Sequence, residues 1–147
     1  MNAVAYAKVN LALAIYPRSA DGFHPLRGIF QSVSLHDDVA VMPASHDAII
    51  VTNGEAPEDE SNLAWKAVQA VRRSARVTAP VALEMHKRIP AGAGLGGGSA
   101  DAAAALGLMA ERFGLDDEAQ AELAESLGAD VPFSLIGGTQ LVEGRGE

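Results

Sequence analysis

Five glycines fall within the seven residues from Gly92 to Gly98, and no other feature of the chain restricts its fold so tightly. Glycine lacks a Cβ, so it concentrates where a backbone takes positive φ or passes close to another group. Order flanks the segment on both sides. Before it, Val81, Leu83 and Met85 alternate as a strand after Pro80. After it, Ala103, Leu106, Met109, Ala110 and Phe113 mark one face of a helix from about Ala100 to Phe113. A strand that turns through bare backbone into a helix leaves the first helical N–H groups without partners, at the positive end of the helix dipole. Such an end attracts anions. Lys87 and Arg88 bring cations to the approach. Ser99 stands at the helix start, where its hydroxyl either caps the helix or faces a phosphate or Mg2+.

Charge says how such an anion must be held. The chain has 147 residues with 11 Lys and Arg against 19 Asp and Glu, a formal charge of -8. An acidic surface repels nucleic-acid backbones and anionic lipid, so neither a nucleic acid nor a membrane is an expected partner. Any bound phosphate is therefore held locally, by backbone N–H groups, a few placed cations or a metal ion. There is no cysteine, which excludes disulfides and thiolate zinc sites and fits the reducing cytoplasm, the expected location. The apolar N-terminus is interrupted by Lys8 and Asn10 and does not read as a signal peptide, and no run of about 18 apolar residues occurs. The spacing of His24, His36, His46 and His86 places no two of them on one helix face.

Residues 4–15 alternate, with Ala5, Ala7, Val9, Leu11, Leu13 and Ile15 expected inward and Tyr6, Lys8 and Asn10 on the opposite, polar face. Asp21-Gly22 signals a turn, then residues 28–36 read as a second strand, with short strands at 39–42 and 48–52. Asp59-Glu60-Ser61 starts a helix that carries Ala64, Ala67, Val68 and Val71 on one face. A helix capped by Asp116 or Asp117 ends at Gly128, and 133–142 reads as a final strand broken at Gly137-Gly138. Strict strand–helix alternation is missing. The expectation is α+β: a mixed β-sheet covered by helices on one face.

Two common phosphate motifs fail on inspection. Gly92, Gly94 and Gly97 satisfy G-x-G-x-x-G, but the acidic strand end that a dinucleotide fold requires is replaced by the helix start Asp116-Asp117-Glu118. A Walker loop requires Gly-Lys-Ser/Thr, and here Gly98-Ser99 has no lysine.

The run Pro90-Ala91-Gly92-Ala93-Gly94-Leu95-Gly96-Gly97-Gly98-Ser99-Ala100-Asp101-Ala102-Ala103 does resemble the ATP loop of the GHMP kinases. Three further segments carry the likeness in the family's order: Ala7-Lys8-Val9-Asn10-Leu11, Asp21-Gly22-Phe23-His24, and Leu127-Gly128-Ala129-Asp130-Val131-Pro132-Phe133. The resemblance implies the GHMP-kinase N-terminal domain, a ribosomal-protein-S5-domain-2-like fold, with ATP and Mg2+ as cofactors. The first and fourth segments narrow it to members that phosphorylate the 2-hydroxyl of a CDP-linked methylerythritol in the non-mevalonate isoprenoid route. By that resemblance Lys8 and Asp130 match the catalytic pair, and Asn10 the acceptor contact. Phe23 and His24 match the cytidine pocket. Asn62, Leu63 and Lys87 fall where the family lines its adenine pocket, beside the loop from Pro90 to Asp101.

The family's kinases continue into a second domain, which these 147 residues do not include. The chain by itself is therefore expected to be an inactive or weakly active fragment, prone to self-association. The alternatives are another GHMP kinase with a different alcohol acceptor, and a nucleotide-binding module without catalysis.

Overall fold

The computed structural model describes residues 1–15 and 26–144. In chain order the elements are β1 (Asn2–Ile15), β2 (Leu26–Pro43), β3 (Ala48–Thr52), α1 (Leu63–Ala75), β4 (Val81–His86), α2 (Gly97–Phe113), α3 (Asp117–Leu127), α4 (Val131–Ile136) and β5 (Thr139–Gly144). The expected α+β architecture is present. Val39, Val41, Leu83 and Met85 point from the sheet into one core with Trp65, Val68 and Val71 of α1 and Leu106 and Met109 of α2. The other face of the sheet is open, and Val4, Tyr6 and Ile50 are exposed on it.

The long strand β2 organises the sheet. Along one edge it pairs antiparallel with β1, from Asn2↔Ala40 to Ile15↔Leu26. Its other edge is divided: β4 pairs with residues 38–43 and β5 with residues 26–31. Between them, residues 32–37 have no strand partner on that side among the described residues. β3 adds to β4 in the one parallel pairing among the described residues. The candidate site forms around this gap.

Several elements differ from the sequence expectation. The strands expected at 28–36 and 39–42 are one strand, within which the charge of Asp37 is buried and matched by Lys87. α2 starts at Gly97, three residues early, where packing against Ile89 outweighs the poor helix propensity of two glycines. α1 is capped by Asn62, not by Asp59–Ser61; its Oδ1 accepts from the Ala64 and Trp65 N–H groups. Residues 133–142 are not a continuous strand. Pro132 fits the first turn of α4, Val131 and Phe133 anchor that helix in the core, and Gly137 and Gly138 at φ 70° and 78° turn the chain into β5.

The strict alternation expected of β1 also breaks. Ala5 and Ala7 are buried, but Leu11 and Leu13 are 63% and 44% exposed, while Lys8 is buried beside Ala7. Register shifts between Tyr6 and Lys8 and between Asn10 and Ala12 interrupt the ladder, and from Asn10 to Ala14 the strand is exposed on both faces.

Candidate functional site

The glycine loop leaves β4 through Lys87–Ile89 and enters α2 at Gly97. Gly92, Gly94 and Gly96 take φ of 71°, 74° and 71°, the left-handed region that glycine occupies without strain. Gly96 occupies the N-cap position, and no side chain caps this helix end. The α2 N-terminus is thus open toward a cleft of about 330 Å3 lined by Asn62, Leu63, Lys87, the loop from Ile89 to Gly98, and Asp101. A Cβ on Gly92, Gly94 or Gly98 would meet nothing within 4 Å, so bare backbone borders open space at these three positions. Ala100 does not join this lining; it is buried in the core at 3% exposure. Ser99 is half-buried in the first turn of α2.

Lys8 connects this loop to the second group of candidates. Its backbone N–H donates to the Leu95 carbonyl at 2.9 Å, which ties β1 to the loop. Its aliphatic stem lies against Gly96, where a Cβ would come within 3.0 Å of Lys8 Cγ. The ammonium then reaches Asp130 Oδ2 at 3.2 Å and donates to Asn10 Oδ1 at 3.0 Å, over the ring of Phe30 at 4.5 Å. Asp130 stands at the N-cap position of α4, yet its carboxylate caps nothing. It is 30% exposed and free to meet a hydroxyl while it holds Lys8. Phe23 and His24 lie outside the described residues.

The adenine-side candidates are more committed than the sequence suggests. Both ends of the Asn62 amide are used within the fold, since Nδ2 donates to the Pro57 carbonyl and Oδ1 caps α1. Lys87 is 4% exposed, and its ammonium is held by Asp37 and Asp101. Burial pushes the Lys87 ammonium toward neutrality, but Asp101 and Asp37 outweigh it and hold its pKa above the ordinary value. Burial pushes the Asp101 carboxyl up to about 6, against Lys87, which pulls it down, and with Asp37, which adds to the rise. Asp37 is also buried, but hydrogen bonds from Lys87 and from the Arg88 and Ile89 amides bring it below the ordinary carboxylate value.

Asp37 belongs to no motif, and the sequence reading passes over it. A signal was nonetheless there. Counting back by two from Val41 and Val39 gives Asp37, and counting forward from Leu83 and Met85 gives Lys87, so both inward-facing rows run into opposite charges at the same end of the sheet.

A broader depression, about 520 Å3, lies on the open face of the sheet among Val4, Asp38, Ile50 and His86. Glu84 also lines it, while Asp38 is paired with Arg88 at 2.7 Å and His86 meets the Thr52 hydroxyl at 3.0 Å. It offers no comparable cradle.

An open helix end beside a lysine–carboxylate pair can bind a phosphate and activate a hydroxyl close to it. A family model described as the GHMP kinases N terminal domain matches residues 62–138, which include Lys87, the glycine loop and Asp130. The chain belongs to the GHMP kinases. Among members of that family, two curated relatives named 4-diphosphocytidyl-2-C-methyl-D-erythritol kinase match it throughout. The one from Pelotomaculum thermopropionicum is 42% identical over 100% of this chain and 53% of its own length. The one from Kineococcus radiotolerans is 45% identical over 100% of this chain and 48% of its own. A crystal structure of 4-(cytidine 5'-diphospho)-2C-methyl-D-erythritol kinase superposes with a TM-score of 0.84 at 38% identity, covering 100% of this chain and 53% of that one. The Methanococcus jannaschii mevalonate kinase shares the fold at 14% identity, with a TM-score of 0.70. The chain spans about half the length of the curated relatives it matches. Among the described residues, no helix is long and apolar enough to cross a membrane.

Proposed function

We propose that this chain carries the ATP-binding and catalytic half of a kinase that phosphorylates the 2-hydroxyl of 4-diphosphocytidyl-2-C-methyl-D-erythritol. The observation that carries the reading is the Lys8–Asp130 contact at 3.2 Å, with the Lys8 stem packed on Gly96 of the phosphate cradle. The relatives named for this activity at 42% and 45% identity supply the acceptor.

Phosphoryl transfer asks a protein mainly for in-line positioning and for compensation of the negative charge spread over the transferred group. The loop amides and the open α2 N-terminus receive the phosphates. Asp130 accepts the proton of the attacking hydroxyl, and Lys8 holds Asp130 in place and balances charge on the transferred group. Asn10, bonded to Lys8 and exposed, orients the acceptor. Leu63 and the backbone beside Asn62 border the space for the base, and Lys87 shapes it from beneath.

ATP supplies the phosphoryl group, and Mg2+ neutralises its oxygens. Among the described residues no group of three or more His, Asp or Glu side chains could hold a metal. Mg2+ would be held there with the bound phosphates, and the Ser99 hydroxyl would serve as its side-chain ligand. The resemblance assigns Phe23 and His24 to recognition of the cytosine base. Residues 1–147 span about half the length of these relatives, and by themselves they are expected to bind nucleotide and turn over poorly.

The test joins residues 1–147 to the remaining half of the Pelotomaculum relative and follows transfer of the γ-phosphate from ATP to the CDP-linked acceptor. Turnover is expected, and Asp130→Asn should lower it about 10² to 10⁴-fold with little change in folding. ATP binding without transfer would leave a nucleotide-binding module. Near-normal turnover in Asp130→Asn would remove the base assignment.

A further inference from the structure

We infer that Asp37 is a positioning residue that sets the glycine loop and the open end of α2 in register with the sheet. The β2–β4 ladder ends at the pair Asp38↔His86, and beyond it, among the described residues, β2 has no strand partner on that edge until β5. The chain must still pass from β4 into the loop through a buried stem, since Lys87 and Ile89 are 4% and 3% exposed. The Lys87 N–H is met by the Thr52 carbonyl at 2.9 Å, but without a ladder the Arg88 and Ile89 N–H groups would be left unpaired, which is costly. The Asp37 side chain takes the place of the missing strand. Its Oδ1 accepts from the Arg88 N–H and, at 2.8 Å, from the Ile89 N–H, while Oδ2 holds the Lys87 ammonium.

One carboxylate thus fixes three consecutive residues, and its influence reaches α2 by two routes. Ile89 packs on Gly97, the first residue of α2, so closely that a Cβ there would lie 2.9 Å from Ile89 Cγ2. Lys87 continues to Asp101, one turn into the same helix. Asp37 touches neither the cleft nor the Lys8–Asp130 pair among its recorded contacts, so its effect is transmitted through the stem.

Amide hydrogen exchange on the nucleotide-free 147-residue chain tests this directly, in Asp37→Ala and Asp37→Asn. Asparagine keeps an oxygen for the two stem amides but loses the charge opposite Lys87. In Asp37→Ala, exchange should accelerate at least about tenfold at Arg88 and Ile89 and at the Lys8 amide that reports the loop through Leu95, relative to α1. In Asp37→Asn, Arg88 and Ile89 should stay within about threefold of wild type, a rescue that a general loss of stability would not produce. Unchanged exchange at Lys8 in Asp37→Ala, or an equal rise throughout α1 and β4, would overturn the inference. If Asp37→Ala fails to fold, Asp37→Asn decides alone, and loss of stem protection in it would be the refuting result.

The second readout, MgATP affinity by calorimetry, rests on the proposed nucleotide site. It should fall at least about tenfold in Asp37→Ala and recover in Asp37→Asn. A wild-type chain that binds no MgATP but shows the expected exchange pattern would remove the nucleotide reading and leave the role of Asp37 standing.

Discussion

Gly98→Ala should move stability and ligand binding in opposite directions. Gly98 lies in the first turn of α2, outside the set of glycines with positive φ, and a Cβ on it meets nothing within 4 Å. In the free chain the substitution therefore adds helix propensity without strain or clash. That should stabilise by at most about 0.5–1 kcal/mol, the helix-interior value. For a domain of this size the melting temperature should rise by about 1–4 °C. The open space that makes the change harmless is the space proposed for phosphate. A methyl group there should lower MgATP affinity at least about tenfold, or about 1.4 kcal/mol. At a nucleotide concentration of about 100 times the wild-type Kd, binding stabilises the wild type by about 2.7 kcal/mol, and roughly half of that would be lost. Melting curves with and without MgATP should therefore exchange order, the variant melting higher alone and lower with ligand. A less stable free variant would refute the helical, unobstructed geometry at Gly98. An unchanged MgATP-induced shift would refute the placement of the phosphate.

Gly97→Ala, one residue earlier, should behave differently: its methyl group would meet the buried Ile89 at 2.9 Å and destabilise the free chain by about 1–3 kcal/mol, measurable by urea unfolding without any ligand. The buried Asp101 carboxyl has its pKa raised from 3.8 to about 6, so its stabilising contribution is full below pH 3.8 and is lost as pH rises through 6. At about 1.36 kcal/mol per pH unit, the stability difference between wild type and Asp101→Asn should shrink by on the order of 3 kcal/mol between pH 3.5 and 7.5. A difference that grows over that range would contradict the assignment. His24→Ala should weaken the CDP-linked acceptor in the joined enzyme and leave ATP affinity intact, and an equal loss for both would mean that His24 supports the fold and does not read the base.

Much of this protein is written locally. The glycine run with a strand before it and an alanine-rich helix after it specifies a strand–loop–helix anion cradle, because backbone freedom and helix polarity are properties of neighbouring residues. Alternation in Val81, Leu83 and Met85 and spacing in α1 likewise locate the core-facing rows. Local pattern fails where distant residues decide the outcome. The bulges that interrupt β1 near Lys8 and Leu11 come from the residue count of β2 against β1, which neither strand states alone. Phe133 to Ile136 form a helix because α4 seats Phe133 against Phe30, 103 positions earlier, a contact that no local propensity encodes. The same holds for Asp37. Its alternation with Val39 and Val41 indicates that it points inward, but only the tertiary structure shows the gap between β4 and β5 that its carboxylate fills. A buried charge looks like a defect in the sequence of one strand. It becomes a structural element once the chain has brought a lysine and two orphan amides to it, and that meeting is decided by topology.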